Sequence, residues 1–106
     1  GIGAGMQVLS LAFGGSLLSC CEIGMEEVRG FSPHPLLPPS PSFMAYELHA
    51  YSTVPPGDWV SLAASKNCIQ AISHPELPFF GVLFHPEVRN EGVIGRFLSI
   101  VHSMGK

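Results

Sequence analysis

Gly81-Val82-Leu83-Phe84-His85-Pro86-Glu87-Val88 is an apolar run that ends abruptly in a histidine, a proline and a carboxylate. Such a run reads as a buried strand. Residues two apart on a strand share a face, so His85 and Glu87 are expected on the same side. An imidazole with a carboxylate to orient it is the base half of a nucleophilic triad. The remaining member belongs on a tight strand-to-helix turn. The chain opens on such a turn, Gly1-Ile2-Gly3-Ala4-Gly5-Met6-Gln7, with glycine where a nucleophile would sit.

The bulk composition narrows the class. With 106 residues the chain makes one domain at most. Hydrophobic residues are 46% and charged residues 12%, a balance that suits layered α/β packing with segments buried on both faces. A net charge of -3, with no basic stripe, gives no footprint for nucleic acid. The longest mainly apolar stretch, Val8 to Cys21, is broken by Gly14-Gly15 and serines and is too short to span a bilayer. Neither a nucleic-acid nor a membrane partner is expected. Cys20, Cys21 and Cys68 are odd in number and include an adjacent pair, which argues against a disulfide framework and for a reducing, cytoplasmic compartment. Their spacing relative to the histidines matches no zinc pattern, so no metal or cofactor is expected.

Along the chain, Ala4 to Phe13 reads as a helix apolar nearly all round, hence interior, stopped by Gly14-Gly15. Ser16 to Cys20 and Gly24 to Gly30 read as two strands. Pro33, Pro35, Pro38, Pro39 and Pro41 make Phe31 to Ser42 a surface loop. Phe43 to Tyr51 reads as a strand, Trp59 to Ala64 and Cys68 to Ser73 as a hairpin, and Phe79 to Phe84 as the core strand. Gly92 to Met104 reads as an amphipathic closing helix. His34, His74 and His102 read as solvated bystanders, and Trp59, Phe79 and Phe80 as core.

These motifs resemble those of class I (triad-type) glutamine amidotransferases. The opening turn is similar to that family's nucleophile elbow, G-I-C-x-G-x-Q, and Phe84-His85-Pro86-Glu87 to its F-H-P-E motif. Leu48-His49-Ala50-Tyr51 resembles the segment that contacts the glutamine backbone. Leu62 to Ser65 with Ile69 to Ile72 resembles the hairpin before the catalytic strand. The resemblance covers essentially the whole chain and is nearest to stand-alone glutaminase subunits, such as that of guanylate synthesis. It implies the C-terminal part of a flavodoxin-like open mixed sheet, α/β in class, with flanking helices and an antiparallel hairpin. Residues 1–106 would then be a partial domain whose N-terminal strands and helices are absent.

The chemistry implied is hydrolysis of the glutamine side-chain amide, with the ammonia passed to a synthetase domain or subunit. His85 would be the base and Glu87 its orienter. The backbone N–H of Ala4 would be an oxyanion donor, and Gly5, Gln7, His49, Ala50 and Tyr51 would lie at the bound glutamine or related amide. Gly3 stands where the family has its cysteine, so no thioester can form there and the chain is expected to be inactive. A glutamine-binding or interaction module that keeps the fold is the alternative. Two blander readings of the same residues are a strand-end histidine merely stabilised by a carboxylate, and a phosphate-cradling loop at Gly1, Gly3 and Gly5. The loop reading lacks the third-glycine spacing and the downstream acid of a dinucleotide site.

Overall fold

The computed structural model describes residues 1–104. Helix α1 (Ala4–Ala12) is followed by strands β1 (Ser16–Gly30), β2 (Ser42–Val54), β3 (Val60–Ala64), β4 (Ile69–Ser73) and β5 (Phe80–Val82), and by helix α2 (Gly92–Met104). The five strands form one antiparallel sheet in the order β2-β1-β3-β4-β5. The α/β class is as expected. The parallel character of this sheet lies in one bridge, Ile2 to Val82.

Two expected strands are one. β1 runs through Cys21 and Gly24 without a break, because a bulge absorbs the irregularity. Ser19 pairs with Tyr51 and Glu22 with His49, so three steps on β1 match two on β2. A bulge bends its strand and sharpens the local twist. Beyond it, β1 meets β3 only at Arg29 and Gly30. The long β1–β2 hairpin therefore curls over β3 and β4, and Ser52 Oγ donates to the Ile69 carbonyl at 2.9 Å across the gap.

Two cores result. One gathers Val28, Leu36, Leu37, Ala45, Leu62, Val82, Phe84 and Val93 beneath α2. In the other, Met6 of α1 meets Cys20, Trp59, Cys68, Ile72 and Leu83. The proline-rich segment is more than a surface excursion, since Leu36 and Leu37 are buried in the first core. Helix α1 is not interior: Met6 and Ser10 are buried, while Val8, Leu11 and Phe13 are exposed. Its apolar residues surround the axis, but only one face has a partner in the described residues.

Two further expectations need correction. Cys20 and Cys68 are joined by a disulfide, 48 residues apart in sequence, and Cys21 is free. The β1 bulge and the start of β4 bring the two together, which residue counting could not foresee. His74 and His34 are not bystanders. His74 packs among Phe13, Trp59 and Phe79 and accepts the backbone N–H groups of Glu76 and Leu77 at its Nδ1. His34 accepts the Leu36 N–H at Nδ1 and packs edge-on against Phe80. Among the described residues no helix is long and apolar enough to cross a membrane.

Helix α1 lies on the sheet at Gly81. A Cβ there would come within 2.6 Å of Met6 Cγ and 3.2 Å of Ile72 Cγ1. Met6 and Ile72 are fully buried, so neither can swing aside. We expect Gly81→Ala to destabilise the fold by about 1–3 kcal/mol, the usual cost of overpacking a core. Urea unfolding measures it, and an unchanged midpoint would show that α1 does not press on β5.

Candidate active site

The site is built where the first residues of the chain lie beside β5. Val82 N–H donates to the Gly1 carbonyl at 2.9 Å, and Gly3 N–H to the Val82 carbonyl at 2.8 Å. The chain then turns sharply. Gly3 has φ 56° and ψ -119°, a backbone conformation that side chains rarely tolerate, and it caps α1. Gly5 and Met6 N–H groups are tied to the Ile2 and Gly3 carbonyls, which leaves the Ala4 N–H outside these bonds at the head of the helix.

After β5 the backbone crosses the curled sheet. Leu83 N–H donates to the Gln70 carbonyl on β4, and His85 N–H to the Tyr46 carbonyl on β2. This crossing delivers the His85 ring to the elbow. A Cβ built on Gly3 would lie 3.0 Å from His85 Cε1 and 3.3 Å from Nε2. On the other side of the ring, Nδ1 is 3.0 Å from Glu87 Oε2. The Glu87 carboxyl is held below the usual carboxylate range, first by its own backbone amide and also by the His85 imidazole. It is therefore an ionised acceptor for an Nδ1 proton, which directs Nε2 toward position 3. Tyr46 packs its ring edge-on to His85, 6.4 Å between centroids. No motif singles out Tyr46. Its alternation with the buried Ala45 and Glu47 on β2 was the available signal.

The other expected residues divide. Gln7 Nε2 donates to the Tyr51 carbonyl at 2.8 Å, linking α1 to β2 at the site's edge, and Ala50 and Tyr51 are exposed. Gly5 has open space around the direction of a Cβ. His49 does not face the elbow's surface. It is buried inside the curl, with Nε2 3.2 Å from Glu22 Oε1 and Nδ1 3.4 Å from Glu47 Oε1. The second contact is proximity without hydrogen bonding, since His49 Nδ1 and both Glu47 carboxyl oxygens lack partners. Burial lowers the His49 pKa against the opposing pull of Glu22.

The chain matches the family model for class-I glutamine amidotransferases over residues 1–93. It belongs to that family. It is 36% identical to one of the subunits of the glutamine-hydrolysing GMP synthase of Methanospirillum hungatei, covering 100% of this chain and 61% of that protein. Identity to the corresponding GMP synthase subunit of Methanothrix thermoacetophila is 34%, covering 94% and 60%. The crystal structure of a Thermoplasma acidophilum protein, designated a candidate subunit of GMP synthase, superposes with a TM-score of 0.81 at 26% identity, over 100% of this chain and 60% of that one. A glutamine amidotransferase of Thermotoga maritima shares the fold, with a TM-score of 0.72 at 21% identity, over 98% of this chain and 46% of that one. The chain thus spans about 60% of the length of the GMP synthase subunits it matches.

Glu47 gives a pH test of the buried side of this amidotransferase fold. Burial, reinforced by the charge of Glu22, raises its pKa to about 8. The folded carboxyl then keeps its proton across a range in which the unfolded one has lost it. Stability is full below the unfolded value, near 4.5, and falls as pH rises toward about 8. We expect a loss of up to about 1.4 kcal/mol per pH unit between about pH 5.5 and 7.5. Glu47→Gln should flatten that slope. Parallel unfolding curves for the two proteins at both pH values would mean Glu47 is not the titrating group.

Proposed function

We propose that this chain is a glutaminase-type amidotransferase domain that retains the base half of its site and has lost the nucleophile. Ancestrally it would hydrolyse glutamine to glutamate and ammonia for a synthetase partner. The observation that carries the reading is the alignment of Gly3, His85 and Glu87: the imidazole stands against the direction a side chain at position 3 would take, with the carboxylate behind it. A thiolate there would attack the amide carbonyl while His85 passed the proton to departing ammonia. The Ala4 N–H at the helix head would receive the developing oxyanion. Gly5, Gln7 and the main chain of His49, Ala50 and Tyr51 would hold the substrate. We further propose residues 1–106 as the C-terminal part of such a domain, working in the cytoplasm.

Glycine at position 3 removes this chemistry. No thioester forms, and losing a triad nucleophile costs orders of magnitude in turnover. The chain should release no ammonia from glutamine. Glutamine binding without hydrolysis, detected by calorimetry, would distinguish a ligand-sensing module from a purely architectural one.

The reading predicts a reactive thiol in Gly3→Cys. His85 and the N-terminus of α1 would lower its pKa. At about pH 7 an ordinary thiol is about 3% ionised, so a pKa at or below about 7 raises alkylation about tenfold or more over exposed Cys21. The same substitution should cost about 1–3 kcal/mol, because a side chain is forced to the Gly3 backbone angles and the His85 ring must give way. His85→Ala added to it should return alkylation to the Cys21 rate. Peptide-resolved mass spectrometry after iodoacetamide reads both sites at once. Equal rates at the two cysteines, unaffected by His85, would sink the assignment, as would glutaminase activity in the native chain.

A further inference from the structure

The second polar cluster of the molecule lies buried inside the curled sheet. Glu22 of β1, His49 of β2 and Cys68 just before β4 are all buried, and their ligand-type atoms lie within 4.8 Å of one another. His49 Nε2 is 3.2 Å from Glu22 Oε1 and 3.5 Å from Cys68 Sγ. Zinc bonds of about 2.0–2.1 Å to nitrogen, about 2.0–2.2 Å to oxygen and about 2.3 Å to sulfur set the edges of a tetrahedron at about 3.3–3.5 Å for N to O and about 3.6 Å for N to S. The observed separations are close to those edges.

The surroundings are those a metal ligand set needs. Ser65 Oγ donates to both Glu22 oxygens at 2.8 and 3.0 Å, and Gln70 Nε2 donates to Oε1 at 2.9 Å, so the carboxylate is held in place. Glu47 Oε1 stands 3.4 Å from His49 Nδ1, the ring nitrogen turned away from Glu22 and Cys68. A ligating imidazole characteristically offers its second nitrogen to a carboxylate. Glu47 is fully buried, and neither of its oxygens nor His49 Nδ1 has a hydrogen-bond partner. A closed network of hydrogen bonds would have satisfied these atoms. A cation on Nε2 accounts for the Nδ1 contact, because it requires the proton on Nδ1, where a Glu47 oxygen can accept it, and it brings positive charge to buried Glu22.

We propose that Glu22, His49 and Cys68 form a site for zinc or a similar borderline divalent cation in the reduced chain, with water as the fourth ligand. Thiolate, imidazole and carboxylate together exclude magnesium and calcium as the intended ion. The Cys20–Cys68 disulfide is the competing state. A small-molecule disulfide such as oxidised glutathione takes two electrons from the two cysteines. The Cys20–Cys68 bond forms, two glutathione thiols leave, and the metal loses its sulfur ligand. In the reverse direction two glutathione thiols return the two electrons and leave as oxidised glutathione, and the metal then displaces the proton of the freed Cys68 thiol. The site uses none of Gly3, Ala4, His85 and Glu87, and shares with the proposed substrate pocket only His49, whose main chain serves there and whose ring serves here.

Cobalt(II) tests this directly. The native chain, reduced with a phosphine in denaturant and refolded with Co²⁺, should bind one equivalent and show tetrahedral d–d bands with a thiolate-to-cobalt charge-transfer band. Zinc should displace the cobalt. Cys68→Ser should abolish the charge-transfer band. His49→Gln and Glu22→Gln should each weaken binding at least about 100-fold, whereas Cys21→Ser should leave it unchanged. The disulfide-bonded chain should not bind. Cys20→Ser cannot close the disulfide and should bind without reductant, so the proposal is still tested if the reduced native chain refolds poorly. A folded reduced chain or folded Cys20→Ser without cobalt bands would overturn the site, as would a charge-transfer band that survives Cys68→Ser.

Discussion

The pairing of Val82 with Gly1 and Gly3 is the contact on which the site depends. Two backbone hydrogen bonds, at 2.9 and 2.8 Å, fix the opening residues of the chain beside the strand that ends at Val82. From that junction α1 is aimed by the angle of Gly3, and its one deeply buried apolar residue, Met6, is seated against Gly81. The backbone then runs on past the end of β5 to His85. Gly3 and His85 therefore share a single anchor, and their separation is set by a short run of backbone instead of by a long chain of side-chain packing. This economy explains how a Cβ at position 3 would come to lie 3.0–3.3 Å from the His85 ring in so small a fold.

The curl of the sheet supplies the second half of the arrangement. A flat sheet in this strand order would leave β2 far from β4 and β5. The bulge between Ser19 and Glu22 bends β1, and β2 then folds back until Tyr46 receives the His85 N–H and Ser52 reaches Ile69. One consequence concerns water. The enclosed space between hairpin and sheet holds Glu22, Glu47, His49 and Gln70, groups that ordinarily sit at the surface. Burying them is costly unless each finds a counterpart. Their conjunction with a cysteine pair is therefore a feature the fold must stabilise elsewhere, and the two apolar cores on either side do so.

Short-range patterns were legible in the sequence, and contacts across the curl were not. The closing helix follows its apolar spacing from Gly92 to Met104, and the β3–β4 hairpin lies within the residues expected of it. The Phe84-His85-Pro86-Glu87 stretch made the His85–Glu87 contact legible because both residues lie in one short segment after β5. β1 looked like two strands because Cys21 and Gly24 interrupt its pattern, and no rule of composition distinguishes a bulge from a break. Helix α1 looked interior because apolar residues surround it, yet composition says nothing about which faces find partners. The disulfide was missed for the same reason as the carboxylate–histidine cluster. Cys20, Glu22, Glu47, His49 and Cys68 come from three segments, and only the curl gives them common coordinates.

The geometry at Gly3 also bears on how such a site decays. In a working elbow the strained backbone is maintained by the advantage of an exposed nucleophile. With glycine at this position φ 56° costs little, so the turn needs no catalytic advantage to maintain it. The His85 ring then rests where Cβ contacts would be tighter than most proteins show, at 3.0 Å to Cε1. Any side chain reintroduced must displace the ring as well as accept the backbone angle. On the proposed reading, loss of a nucleophile is easy to accommodate and harder to reverse by one substitution, while the contact of His85 with Glu87 persists because both lie in one short segment after β5. On the proposed reading, a family member would in this way lose its reaction and preserve the surrounding contacts of Gly3, His85 and Glu87.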